Sequence, residues 1–114
     1  MGYGCMDRLR GRWGLANRVF GLELKDMQLT SDDRGKVTGT ATATIEDGTF
    51  DYSISGMYNG AALELQFQQV FDESKPYMDE HNFSFSGNCM GDNVFKGPMF
   101  LGPYAPEVSL KHLG

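Results

Sequence analysis

The chain has 114 residues, with 10 Lys and Arg against 15 Asp and Glu and a formal net charge of −5. That length suits a single domain, 1–114, with an ordinary core that needs no metal or disulfide staple. The acidic balance argues against a nucleic-acid partner, which calls for clustered Lys and Arg along a phosphate backbone. No stretch approaches transmembrane length and the first residues lack an apolar signal core, so a soluble chain with no membrane partner is expected.

Near the start, Arg8, Arg10, Arg12 and Arg18 form a basic stretch. An anion-binding lip is its functional interpretation; a solvated first strand is the simpler one. Met6 stands where a myristoylation signal wants Ser or Thr, which argues against lipidation at Gly2. Cys5 and Cys89 sit in no CxxC or zinc spacing. They can pair only if the N-terminus folds back, so free thiols in a reducing cytosol are the default expectation, with localisation otherwise open.

Residues 10–17 read as a first strand around Trp13, and 19–30 as a second. In the second, Phe20, Leu22 and Leu24 share one face while Met27 and Leu29 fall on the other parity, which predicts a β-bulge near Lys25-Asp26. Ser31-Asp32-Asp33-Arg34-Gly35 then has turn chemistry.

From Lys36 to Phe71 the apolar residues alternate strictly: Val37, Ala41, Ala43, Ile45; Phe50, Tyr52, Ile54, Tyr58; Leu63, Leu65, Phe67. Period two along three successive segments predicts a meander of antiparallel strands. Asn59-Gly60 as a type I′ turn would place Tyr58 opposite Ala61 and Tyr52 opposite Phe67. A four-residue loop at Glu46-Asp47-Gly48-Thr49 would place Ile45 opposite Phe50. The outer face then carries Thr38, Thr40, Thr42, Thr44, Asp51, Ser53, Ser55, Glu64, Gln66 and Gln68.

Residues 81–89 and 94–101 make another pair, with Phe83, Phe85, Phe95 and Met99 on one parity and a loop of three or five residues at Gly91-Asp92-Asn93. The tail 107–113 is either an eighth strand or a short helix. Glycines inside strands, Gly39, Gly56, Gly87 and Gly97, allow the bending that lets a sheet close, so the fold class is all-β: a small antiparallel up-and-down barrel of seven or eight strands. Its tight turns gather at one end. The longer connections, 72–80 above all, gather at the other, where any mouth belongs, with Gln69 inward at its rim.

Gly11-Arg12-Trp13 is a GxW at the start of the first strand. With the meander it resembles the calycin-type barrels, lipocalins and avidins, whose Trp packs across the barrel floor, often under a basic side chain of the last strand. Here Lys96 and Lys111 are the only late Lys or Arg residues, and neither is an Arg. Gly35-Lys36-Val37-Thr38-Gly39-Thr40 is similar to the GxxTGT of avidins, but with one Trp in the chain no biotin ligand set carries over. The resemblance implies a barrel that holds a small apolar or amphipathic molecule.

No HExxH, nucleophile elbow or phosphate-binding glycine loop is present, so no cofactor, metal or catalytic residue is expected. Asp72 to His81 is the densest polar cluster, read mainly as a solvated loop and secondarily, through Asp79, Glu80 and His81, as a cation or acid–base site. Candidate ligand-binding residues are Tyr52, Phe67, Gln69, Tyr58, Phe83 and Phe95, which would line a pocket or interdigitate as a solid core. The first functional expectation is a non-enzymatic barrel for a small apolar ligand. The alternative is an interaction protein with a solid barrel that self-associates as a homo-oligomer through Thr38 to Thr44. An enzyme using His81 or a loop carboxylate ranks third.

Overall fold

The computed structural model describes residues 4–19, 21–45, 48–71, 73 and 81–114. Eight antiparallel strands follow one another around a closed barrel: β1 (Arg12–Leu15), β2 (Glu23–Ser31), β3 (Lys36–Ile45), β4 (Gly48–Tyr58), β5 (Ala62–Gln69), β6 (Phe83–Cys89), β7 (Val94–Phe100) and β8 (Glu107–His112). The tail is therefore a strand and not a helix. It closes the ring by pairing with β1, Trp13 opposite His112 and Leu15 opposite Leu110.

The expected bulge is present. Register shifts between Lys25 and Gln28, Asp26 takes φ 51°, and Met27 and Leu29 are thereby returned to the interior beside Leu22. One extra residue changes which parity faces inward, which is how a single strand carries both apolar sets.

Two hairpin registers differ from expectation, each by two residues. Tyr58 pairs with Leu63 and Tyr52 with Gln69, because the tight turn centres on Gly60-Ala61 and not on Asn59-Gly60. Asn59 N–H donates to the Ala62 carbonyl at 3.2 Å, Gly60 has φ 93°, and Asn59 Oδ1 accepts from the Ala61 and Ala62 amides at 2.9 and 2.7 Å. Glycine with positive φ at the first central position is the type II′ arrangement. Between β3 and β4 the pairing runs out to Ile45 opposite Gly48, with Ala43 opposite Phe50, so two residues connect them in place of four. A slip of two keeps every side chain on its face, and the expected inner and outer sets survive both corrections.

The β6–β7 loop is the three-residue option. Met90 N–H donates to the Val94 carbonyl at 2.8 Å, and Gly91, Asp92 and Asn93 all have positive φ. Strands approach closely where glycine permits it: a Cβ at Gly56 would lie 1.9 Å from the Glu64 carbonyl oxygen.

The core is continuous, from Trp13 and Leu9 at one end through Leu63, Leu65 and Phe85 to Tyr52 and Phe67 towards the other. The first of these ends is closed by the chain itself. Residues 5–11 form a strap held by reciprocal bonds to β2: Leu9 N–H donates to Ser31 Oγ at 2.7 Å, and Ser31 N–H donates to the Leu9 carbonyl at 3.1 Å. Asn93 Oδ1 accepts from the Met6 amide at 2.7 Å, the Tyr58 hydroxyl donates to the Met6 carbonyl, and Cys5 is joined to Cys89 in a disulfide. The expectation of free thiols is thus overturned: the N-terminus folds back, bringing the two cysteines together across 84 residues of sequence.

Candidate functional site

The six predicted ligand-binding residues divide between the two ends of the barrel. Tyr58 and Phe95 meet edge to face at the strapped end, ring centroids 5.5 Å apart. Tyr52, Phe67 and Phe83 gather towards the far end. There Phe67 stacks on Phe83 at 4.4 Å and Phe83 meets Tyr52 at 5.1 Å. All five rings belong to residues no more than 5% exposed. These centroid spacings are those of a packed aromatic core.

Gln69 lies at the far rim, paired with Tyr52, where its side-chain oxygen accepts from the His81 amide at 2.8 Å. The Tyr52 hydroxyl donates to the His81 carbonyl at 2.6 Å, and the Phe50 and His81 rings lie 5.9 Å apart. His81 is thus tied into the rim by its backbone. Burial pushes the Tyr52 phenol up to about 12, and burial with the nearby Asp7 carboxylate also raises that of Tyr58. Both interior hydroxyls therefore stay protonated at neutral pH and both are spent on backbone carbonyls. Asp79 and Glu80, suggested with His81 as a polar cluster, lie outside the described residues. Among the described residues no group of three or more His, Cys, Asp and Glu is placed to hold a metal ion.

The floor around Trp13 shows what sequence reasoning missed. The base packed on the indole is His112 from β8, at 5.0 Å between ring centroids, in place of Lys96 or Lys111. Its parity with Val108 and Leu110 carried the signal. Trp13 Nε1 donates to the Arg10 carbonyl at 3.0 Å. Gly11 is required here twice over: it has φ 81°, and a Cβ on it would lie 2.7 Å from the Gly114 carbonyl oxygen and 2.9 Å from His112 Nε2.

Outside the barrel, a cleft of about 690 Å³ lies beside the strap and the β2–β3 and β4–β5 turns, lined by Asp7, Arg8, Arg34, Met57 and Glu64 among others. Arg8 is the one member of the basic stretch in it. Asp32, also in its lining, is held below the usual carboxylate range mainly by the Lys36 amide, with the Arg34 amide and the charges of Lys36 and Arg8 adding.

The outward side chains fall into cross-strand rows. One row runs Thr30, Thr38, Ser55, Gln66, Ser84, Phe100 from β2 to β7, and the next runs Gln28, Thr40, Ser53, Gln68 from β2 to β5. The first holds no charge, and the second holds none from β2 to β5 but meets Arg12 of β1 opposite Gln28. The rows flanking them hold charges, through Lys36 and Glu64 on one side and Lys25 and Asp51 on the other. Hydroxyls of the face bond to one another, Thr30 to Thr38 at 3.2 Å and Thr44 to Thr49 at 3.0 Å.

No protein-family model, no curated protein and no solved structure matches the chain.

Proposed function

We propose that this chain is a non-enzymatic interaction module, a solid barrel that associates with a second copy of itself through the outer face of β3 and β4. The observation that carries this reading is the uncharged patch of Thr38, Thr40, Ser53 and Ser55 at the centre of that face. Two molecules of net charge −5 repel over most of their surfaces, and depletion of charge is the compositional mark of an interface core. The packed rings of Phe67 on Phe83 and of Tyr58 on Phe95, with the Tyr52 and Tyr58 hydroxyls spent on backbone carbonyls, support the same view. A two-fold contact needs one self-complementary patch, and a face of hydroxyls that both donate and accept supplies it. Kinship with calycin-type barrels belongs to this proposal too, supported by the closed meander and by Trp13 on its floor.

Sedimentation over a wide concentration range tests it. The wild type should run as a dimer and Thr40→Arg as a folded monomer, whose melting temperature should match that of the wild type once the latter is diluted enough to dissociate. A monomeric wild type at several hundred micromolar would sink the idea.

One observation favours the second reading, a barrel that takes a small apolar molecule. Tyr52, Phe67, Phe83 and Gln69 do stand together at the far end, as a ligand site at the rim would need. Under that reading a chemically broad ligand set should include members that raise the melting temperature, through mass action on the folded state.

A further inference from the structure

The longer uncharged row ends on an aromatic ring. Phe100 points outward from β7 opposite Ser84, and it is 43% exposed. Beside it, a groove of about 310 Å³ runs along the outer surface of β5, β6 and β7, with Gln66, Gln68, Asn82, Ser84 and Phe100 among its lining residues. Among the described residues no charged side chain lines it. Asn82 Oδ1 accepts from the Gln69 amide at 2.9 Å, which holds that amide group at the groove's end.

We propose that this groove binds a neutral saccharide, with the Phe100 ring under the C–H face of a pyranose and Gln66, Gln68 and Ser84 bonding to its hydroxyls. Three features point to that ligand class. A sugar hydroxyl both gives and accepts a hydrogen bond, and a primary amide or hydroxyl side chain matches it in both senses. A neutral ligand cannot repay the desolvation of a charged side chain, and none of the described lining residues carries one. One apolar wall with a few convergent polar groups is the usual composition of a small-molecule site, and an aromatic face accepts the C–H groups on one side of a pyranose. The groove is shallow and continues into the row of Ser55, Thr38 and Thr30, so an oligosaccharide suits it better than a monosaccharide. A saccharide confined to β5, β6 and β7 leaves the β3–β4 face free, whereas one that runs on to Ser55 and Thr38 competes with a second copy for those residues, so binding does not depend on self-association.

Affinity electrophoresis in native gels cast with dextran, mannan, galactan, xylan or soluble β-glucan tests the proposal. At least one polysaccharide should retard the protein. Phe100→Ala and the double variant Gln66→Ala/Gln68→Ala should each weaken retardation tenfold or more, while Phe100→Trp, which keeps an aromatic face, should retain it. Melting curves identify any variant that has merely unfolded, and the double variant stands if Phe100→Ala fails to fold. Retardation by none of the five polymers overturns the proposal, as does equal retardation of wild type and Phe100→Ala. It also fails if Phe100→Ala changes the sedimenting mass without sugar, since the groove would then be a contact between copies.

Discussion

The two ends of the barrel are built on different principles. The strapped end is fastened by contacts distant in sequence: the Cys5–Cys89 disulfide, the Leu9–Ser31 pair, the Tyr58 hydroxyl on the Met6 carbonyl, and Trp13 between Phe95 and His112. At the far end, among the described residues, Tyr52 and Gln69 are tied to the backbone of His81 and the Gln69 amide to Asn82 Oδ1. A barrel whose strands are short on one side, as β1 is with four residues, gains from cross-links at the place where that strand begins. Among the described residues, the disulfide and several side-chain bonds between segments far apart in sequence gather at the floor and strap, and whether stability gathers there too is testable.

The largest effect that would sharpen this comparison is expected at Trp13. Trp13→Ala removes the largest side chain of the floor and should cost about 3–5 kcal/mol in a denaturant titration. A cost near that of an exposed substitution would mean that the floor is not the organising end.

Breaking the strap comes next. Replacing both Cys5 and Cys89 by Ala should cost about 2–4 kcal/mol, since the disulfide constrains a long loop of the unfolded chain. Hydrogen exchange should then quicken at the Leu29 and Ser31 amides, which donate to the Gly11 and Leu9 carbonyls of the strap. The Val70 amide, which donates to Asp51 at the far end, should be unaffected. Equal acceleration at both ends would show that the barrel opens as one unit and erase the distinction.

The two tyrosines offer a matched pair. Tyr58→Phe and Tyr52→Phe each remove one hydrogen bond to a backbone carbonyl, worth about 1 kcal/mol, and Tyr58→Phe should loosen only the strap. Tyr52 adds a pH signature. Its phenol, raised from 10.0 to about 12 by burial, favours folding while protonated. That contribution is whole below pH 10 and is lost as pH rises from 10 towards 12. The stability gap between wild type and Tyr52→Phe should close over that range, as followed by fluorescence melts.

The smallest effect is expected at Asp32, whose Oδ1 accepts from the Arg34 and Lys36 amides at 2.9 Å each. Its lowered pKa means that it stabilises the turn when ionised. The benefit is present above the ordinary value of 3.8 and fades as pH falls through the lower folded value. Asp32→Ala should therefore melt slightly below wild type at pH 7 and converge with it below about pH 4. A difference that persists in acid would point to a role other than the charge.

What could be foreseen from the chain followed its periodicity. Val37 to Ile45, Phe50 to Tyr58 and Leu63 to Phe67 alternate, so their faces were legible, and a two-residue slip at either hairpin left those faces intact. The turn at Asn59 departs from the Asn-Gly pattern because the Asn59 side chain caps the loop and the turn centres on Gly60-Ala61. The bulge at Asp26 was legible as a break in parity. The strap was not: Cys5, Met6 and Leu9 follow no period, and what holds them is Ser31, Asn93 and Cys89, far along the chain. The candidate residues were recognised as interior, yet periodicity alone did not separate Tyr58 and Phe95 at the floor from Tyr52, Phe67 and Phe83 towards the rim. The groove beside Phe100 was equally hidden, because it arises from the register of three strands.

Native mass spectrometry of the purified protein, first under gentle and then under denaturing conditions, tests the central claim most directly. A solid barrel that works through its exterior should appear as a dimer whose mass is twice that of the chain, with no small molecule released on denaturation. A monomer that carries a small apolar molecule and sheds it when denatured would contradict that account and return the interior to the centre of the function.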